Sequence, residues 1–157
     1  MATPGIGQLL IERYAKTRRE RLFRPNGADN VLLQDSARGH FPVYLSPHGS
    51  SPDLVGLRAV WSARCLHTKR HRLHDCVNHF NDRNKLLTAS VHETHDSRAL
   101  EVVGKSQFWV RDEEDFRPFV RFVDMSLASA VNLFERVYDE MELPSAAQLD
   151  PWLQNAG

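Results

Sequence analysis

The longest run of regularly spaced apolar residues begins at Phe116 and predicts a long helix in the last third of the chain. Apolar side chains recur there every three or four positions, which places them on one face of an α-helix. Residues 112–115 are acidic, as suits a helix N-terminus, and Leu143 followed by Pro144 ends the pattern. We expect the stripe to pack against a sheet. Its members are Phe119, Val123, Leu127, Ala130, Phe134, Val137 and Met141.

Two shorter segments also have helical spacing. The first spans residues 6–23, where apolar positions are followed by many arginines, and it ends before Pro25. The second runs from Thr68 to about Asn84. Its spacing predicts one buried face, formed by Leu73, Cys76, Val77 and Phe80.

Alternation of apolar and polar residues predicts two blocks of strands. In the clearest strand, 54–65, every second residue from Val55 is apolar, while Arg58, Ser62 and Arg64 share the opposite, solvated face. The second block includes a hairpin, because two short segments flank a polar turn. The strand candidates are residues 31–34, 40–46, 54–65, 87–93, 100–103 and 107–110.

The order of these elements is helix, strands, helix, strands and long helix. This order indicates an α+β fold with an antiparallel sheet of about five strands, an N-terminal helix, a central helix and a long C-terminal helix. Gly56 and Gly104 fall inside strand segments, and we expect them to mark bulges. The 157 residues suit one domain, which we divide into an N-terminal helix and turn (1–27), a main domain (28–142) and a C-terminal tail (143–157).

Charge is balanced over the whole chain but not along it. The net charge is zero, which removes the general electrostatic attraction to nucleic acids and anionic membranes. Residues 1–85 hold 14 Lys and Arg against 7 Asp and Glu, whereas residues 86–157 hold 6 against 13, so the halves carry +7 and −7. This imbalance is either ordinary surface charge or a basic face that meets an acidic partner, which includes the acidic end of a second copy.

Cysteine usage and the absence of an apolar span indicate the cellular compartment. No apolar run is long enough to span a bilayer, and the first residues lack the order of a secretory signal. Cys65 and Cys76 do not form a CxxC pair, which agrees with a reducing compartment. We therefore expect a cytoplasmic protein that has no contact with a membrane.

Histidines are the residues that come nearest to a metal site. By helical spacing, His67, His71 and His74 lie close together on one face. Two histidines three or four residues apart on a helix can ligate zinc. No acidic residue completes that set, and the interleaved basic residues would repel a cation. His92 and His95 flank the hairpin turn and offer a second pair. A solvated basic face is the favoured interpretation, and whether the first stripe binds metal stays open.

Motifs of catalysis are missing from the sequence. It contains no nucleophile elbow, phosphate-binding glycine loop, HExxH or paired acidic motif, so we predict no catalytic residue and no cofactor. Cys65 and Cys76 lie on apolar faces and are interpreted as core residues. Two alternatives stay open: a metal-dependent enzyme of unrecognised type, and a nucleic-acid-binding protein. The second is disfavoured because Trp61 lies on the side of its strand opposite the arginines.

A short asparagine motif carries a family resemblance. The run from Val77 through Asn78 to Asn81 follows a strand with Val60-Trp61-Ser62 and precedes the strand Thr88-Ala89-Ser90-Val91. This arrangement, over residues 28–142, resembles the YbjN family of bacterial sensory transduction regulators. The resemblance implies a fold similar to type III secretion chaperones, which bind polypeptides and often dimerise. It implies no catalytic residues, and Asn78 and Asn81 are expected to close the helix against the next strand.

The functional prediction is a non-enzymatic polypeptide-binding module, chaperone-like or regulatory. Its partner is another polypeptide, which includes a second copy of this chain, and not a nucleic acid or a membrane. An arginine-bearing sheet face can hold an extended or acidic segment, and a tryptophan on a tail can anchor a partner. The predicted partner-binding residues are Arg58, Ser62, Arg64, Trp152 and Leu153.

Overall fold

Three α-helices and five strands make up the part of the chain that the structure describes. The computed structural model describes residues 5–18, 30–37, 39–48, 51–63, 69–93 and 100–141, apart from the side chains of Pro52, Ser62 and Ala63. The helices are α1 (Ile6–Thr17), α2 (Arg70–Arg83) and α3 (Phe116–Met141). The strands are β1 (Asn30–Ser36), β2 (Gly39–His48), β3 (Ser51–Ala63), β4 (Thr88–Glu93) and β5 (Leu100–Trp109).

All five strands belong to one antiparallel sheet in the order β1-β2-β3-β5-β4. Strand β5 pairs with β3 on one side and with β4 on the other, so the last of the described strands lies inside the sheet. The predicted segments 100–103 and 107–110 are largely a single strand in the structure. The α+β fold with an antiparallel sheet of five strands and a long C-terminal helix is confirmed.

Two glycines occupy regular strand positions. The bulges predicted at Gly56 and Gly104 are wrong, because both residues lie in unbroken register between β3 and β5. A Cβ atom on Gly104 would lie 2.6 Å from Cδ2 of Leu87, so this glycine makes room for the leucine to pack on the sheet. A Cβ atom on Gly56 would meet the Ser46 carbonyl oxygen only at 3.8 Å, an ordinary contact distance.

Helix α3 covers the sheet with the predicted apolar stripe. Phe119, Val123 and Phe134 are buried, as expected from their spacing. The ring of Phe134 meets Phe41 of β2 edge to face, with 4.7 Å between the ring centroids. Stripe and strands therefore form one core. None of the described helices combines the length and the apolar composition needed to cross a membrane.

Helix α1 packs on α3 through a buried tyrosine. The Tyr14 hydroxyl donates to Oδ1 of Asp124 at 2.9 Å, and its ring meets Phe119 edge to face. Arg18 forms an ion pair with the other oxygen of Asp124. The helix ends at Thr17, and residues 19–23, which the sequence also predicts as helical, lie outside the described residues.

Candidate polypeptide-binding surface

The sheet has one face covered by helices and one face that carries polar side chains. On the second face, Arg58 of β3 stands directly opposite Lys105 of β5, and both side chains are exposed. Tyr44 of β2 is the cross-strand neighbour of Arg58 on its other side. The guanidinium carbon of Arg58 lies 4.5 Å from the centroid of that ring. Three strands thus bring two cations and an aromatic ring into one row, which we call the basic row.

The basic row is electrostatically unbalanced. Like charges that face each other across two strands repel, so Arg58 and Lys105 raise the positive potential of this surface together. Neither cation forms an ion pair within the described part of the chain. An acidic group placed between them would relieve the repulsion and form charge-assisted hydrogen bonds.

A shallow depression of about 190 Å³ adjoins the basic row. It exists because Gly56, opposite Gln107 in the register, has no side chain to fill the space. Backbone is thereby accessible at the centre of the sheet, where a ligand chain can approach closely. The lining residues are Tyr44, Ser46, Gly56, Leu57, Arg58, Lys105, Ser106 and Gln107.

The structure describes part of the predicted partner-binding set. Arg58 lies on the polar face, and the backbone of Ser62 pairs opposite Glu101 farther along the same strand. The side chain of Ser62, and Arg64, Trp152 and Leu153 as a whole, lie outside the described residues. The structure adds Lys105, Tyr44 and Gln107, which only the pairing of β3 with its neighbours brings to this place.

Asn81 links α2 to the edge strand β4. Its Nδ2 donates to the Ala89 carbonyl oxygen at 2.9 Å, and the Ala89 N–H donates to Oδ1 of Asn81 at 2.7 Å. Asn78 takes no part in this contact, since it lies about one turn earlier on the exposed side of a helix that continues to Arg83. The turn after the helix uses another residue: Oδ1 of Asn84 accepts the N–H groups of Leu86 and Leu87.

The described histidines of α2 are at least partly exposed, whereas Cys76 on the same helix is buried. His71 is exposed and His74 half-buried on α2, while His67 and His95 lie outside the described residues. In the described ranges, no group of three His, Cys, Asp or Glu side chains is arranged to hold a metal ion. Cys76 is buried, and burial, together with the nearby Glu140 carboxylate, raises the pKa of its thiol to about 12. The thiolate needed for nucleophilic attack is thus disfavoured.

A comparison with solved structures identifies the fold. The chain is similar to YbjN from E. coli, a proposed transcription regulator, with a TM-score of 0.67 and 13% sequence identity over 87% of this chain and 94% of that one. This chain has the fold of YbjN. The resemblance drawn from the asparagine motif is therefore confirmed at the level of the fold. No protein-family model matches the sequence, and no curated protein matches it either.

Proposed function

We propose that this chain is a non-enzymatic polypeptide-binding module, chaperone-like or regulatory, that holds an acidic segment of another protein on the polar face of its sheet. The observation that carries the proposal is the position of Arg58 directly opposite Lys105, beside a depression floored by Gly56. It acts in the cytoplasm, the location favoured by its cysteine usage.

Acidic polypeptides suit this surface for two physical reasons. Carboxylates accept charge-assisted hydrogen bonds from arginine and lysine, which are stronger than bonds between neutral groups. The positive row also speeds the encounter with a negative partner. A second copy of the chain is one such partner, because Asp112, Glu113 and Glu114 form an exposed acidic turn before α3.

Single-stranded nucleic acid is the second candidate ligand, and one observation favours it. Trp109 of β5 is exposed on the same side of its strand as Lys105, so the polar face does carry an aromatic ring that could stack on a base. The Tyr44 ring is already covered by Arg58. A chain with zero net charge offers little further attraction to phosphates, and we therefore rank this candidate second.

Charge reversal at the basic row tests the proposal. Arg58→Glu with Lys105→Glu should reduce capture of partner proteins from the native host and weaken the affinity for each identified partner by about tenfold or more. The matched control is Arg72→Glu with Arg83→Glu, two exposed residues of α2, which changes the net charge by the same amount.

Three outcomes would withhold support from this assignment. Equal capture by both double variants would exclude the basic row. Loss of capture together with a lowered melting temperature, absent in the control, would mean that the fold was damaged instead. Retardation of single-stranded oligonucleotides that the row variant abolishes, with no protein partner found, would favour the second candidate.

A further inference from the structure

Strand β5 extends beyond the strand beside it. It pairs with β3 along its whole length, from Leu100 to Trp109, but β4 reaches only as far as Lys105. Among the described strands, residues 106–109 therefore have a neighbour on one side alone. We call these four residues the open end of β5.

Two residues of the open end direct their backbone groups away from β3. Successive residues of an antiparallel strand direct their N–H and C=O groups to opposite sides. The Val110 N–H donates to the Asp53 carbonyl oxygen beside β3, at 2.8 Å, so Gln107 and Trp109 direct theirs away from β3. Within the ranges that the structure describes, no backbone hydrogen bond reaches these groups of Gln107 and Trp109.

At the edge of β4, unlike at the open end, a side chain occupies outward backbone groups. Ala89 lies opposite Gly104 and has its backbone N–H and C=O bound by the side chain of Asn81. An edge strand whose backbone groups are occupied cannot recruit another strand at that point. Asn81 thus closes the edge at Ala89, a β4 residue near the open end, whereas no described side chain occupies the outward backbone groups of Gln107 and Trp109.

A groove of about 480 Å³ runs beside the open end, between β5 and the first turns of α3. It is mainly apolar, and Met125 at its border is 53% exposed, while Trp109 at the end of the strand is 63% exposed. Side chains of an added strand would alternate between this groove and the polar face. The lining residues are Leu86, Gln107, Phe108, Arg117, Pro118, Arg121, Phe122 and Met125.

Basic side chains lie on the groove side of the open end and at its Lys105 end, whereas the acidic turn 112–114 follows its Trp109 end. Arg117 and Arg121, one turn apart on α3, are exposed and form no ion pair with any described residue. Lys105, which directly precedes the open end, lies on the polar face. A partner strand with acidic side chains is favoured by this charge, whereas twofold pairing of two such ends would bring four arginines together and disfavours a second copy.

We propose that the open end of β5 binds an extended segment of a different protein by strand addition. Apolar side chains of that segment enter the groove, and alternate acidic side chains face the basic row and its surroundings. The idea rests on the proposed function in that the ligand is a polypeptide, but it assigns a second surface and a backbone mode of recognition.

A peptide library tests this proposal with the full chain. The probe is a set of short capped peptides in which apolar residues alternate with Asp or Glu, and a matched set carries Lys or Arg at those positions. The acidic set should bind, the basic set should not, and N-methylation of alternate backbone nitrogens of a bound peptide should abolish its binding. Failure of the whole acidic set to bind overturns the proposal.

Substitutions at Gln107 and on α3 locate the binding. Gln107→Pro removes the outward N–H and leaves the pairing with β3, so the affinity for a bound acidic peptide should fall by about tenfold, whereas Gln107→Ala should keep it. Arg117→Glu with Arg121→Glu should weaken the binding of the same peptide. The control pair on α2, Arg72→Glu with Arg83→Glu, should leave it unchanged. Unchanged binding by Gln107→Pro, or binding of the N-methylated peptide, excludes strand addition.

Failure of this inference can be told from failure of the proposed function. If Gln107→Pro retains peptide binding while reversal at Arg58 and Lys105 abolishes capture of a natural partner, strand addition is wrong and the basic row stands. If Gln107→Pro abolishes peptide binding while reversal at Arg58 and Lys105 leaves the capture of natural partners unchanged, strand addition stands and the basic row is wrong. If Gln107→Pro fails to fold, the binding of the N-methylated peptide to the unmodified chain tests strand addition by itself.

Discussion

One asparagine side chain holds the end of α2 to the edge strand. Asn81 reproduces with its amide the two hydrogen bonds that a further strand would make to Ala89. A neighbouring asparagine of the same motif, Asn78, is exposed. The two asparagines of the motif therefore have different surroundings. Their three-residue spacing in the sequence does not reveal which of them contacts the strand.

Substitution of these two asparagines should give different results. Asn81→Ala leaves the backbone groups of Ala89 without their partners and should lower the free energy of unfolding by about 1–3 kcal/mol. Asn78→Ala should change it by less than about 0.5 kcal/mol. Urea unfolding of both variants measures the difference, and equal losses would show that Asn78 also makes a structural contact.

Cys76 should be chemically quiet in the native state. Burial and Glu140 raise the pKa of its thiol from 9.0 to about 12, so folding favours the protonated form. The free energy of unfolding is therefore unaffected by this thiol below pH 9. It falls as the pH rises from 9 toward 12, because the thiol then ionises more readily in the unfolded chain. In a Cys65→Ser chain, native thiol modification at pH 8 should be far slower than in urea. Equal rates would mean that the thiol is accessible.

At the scale of elements, the long helix carries the core. The Phe134 ring is buried between Phe41 and Trp61, with centroid distances of 4.7 and 5.6 Å. Its position followed from helical spacing, because the burial of one face is recorded in the local order of apolar residues. A residue of this stripe is thus the proper test of α3 packing.

Truncation of Phe134 should be costly. Phe134→Ala removes a fully packed ring and should lower the free energy of unfolding by about 3–5 kcal/mol. Asn132→Ala, two residues earlier on the exposed side of α3, is the control and should stay within about 0.5 kcal/mol. Denaturant unfolding of both variants checks the result, and a melting temperature unchanged in Phe134→Ala would contradict the burial.

Strand boundaries show where sequence reasoning fails. Period-two alternation predicted β3 and its solvated Arg58, since that signal is local. Gly104 divided the pattern of β5 into two segments, although the strand is continuous. The reason for this glycine is the side chain of Leu87, which lies just before β4 and is too distant along the chain for a local pattern to record.

At the scale of the whole molecule, the basic row exists only through pairing of distant strands. Lys105 meets Arg58 because β5 inserts between β3 and β4. The sequence predicted the exposed face of one strand, but the register between strands depends on the complete sheet. The missing half of the candidate surface could therefore not be derived from spacing alone.

Filling the depression should separate binding from stability. Gly56→Val places a branched side chain where the nearest neighbour of a Cβ atom is 3.8 Å away, and valine suits a strand better than glycine. Thermal stability should be kept or raised, while affinity for a polypeptide held on the basic row should fall. Calorimetry and partner titration measure the two effects, and unchanged affinity would place the ligand elsewhere.

The packing of α3 also determines when the chain can fold. Ribosomes synthesise all five strands before α3, yet α3 supplies the cover for Phe41, Trp61 and Phe108. A nascent chain that lacks this helix therefore exposes the apolar side of its sheet, an aggregation hazard. Completion of the domain must wait until Met141 has left the exit tunnel, so arrest of translation before that residue should yield a protease-sensitive chain.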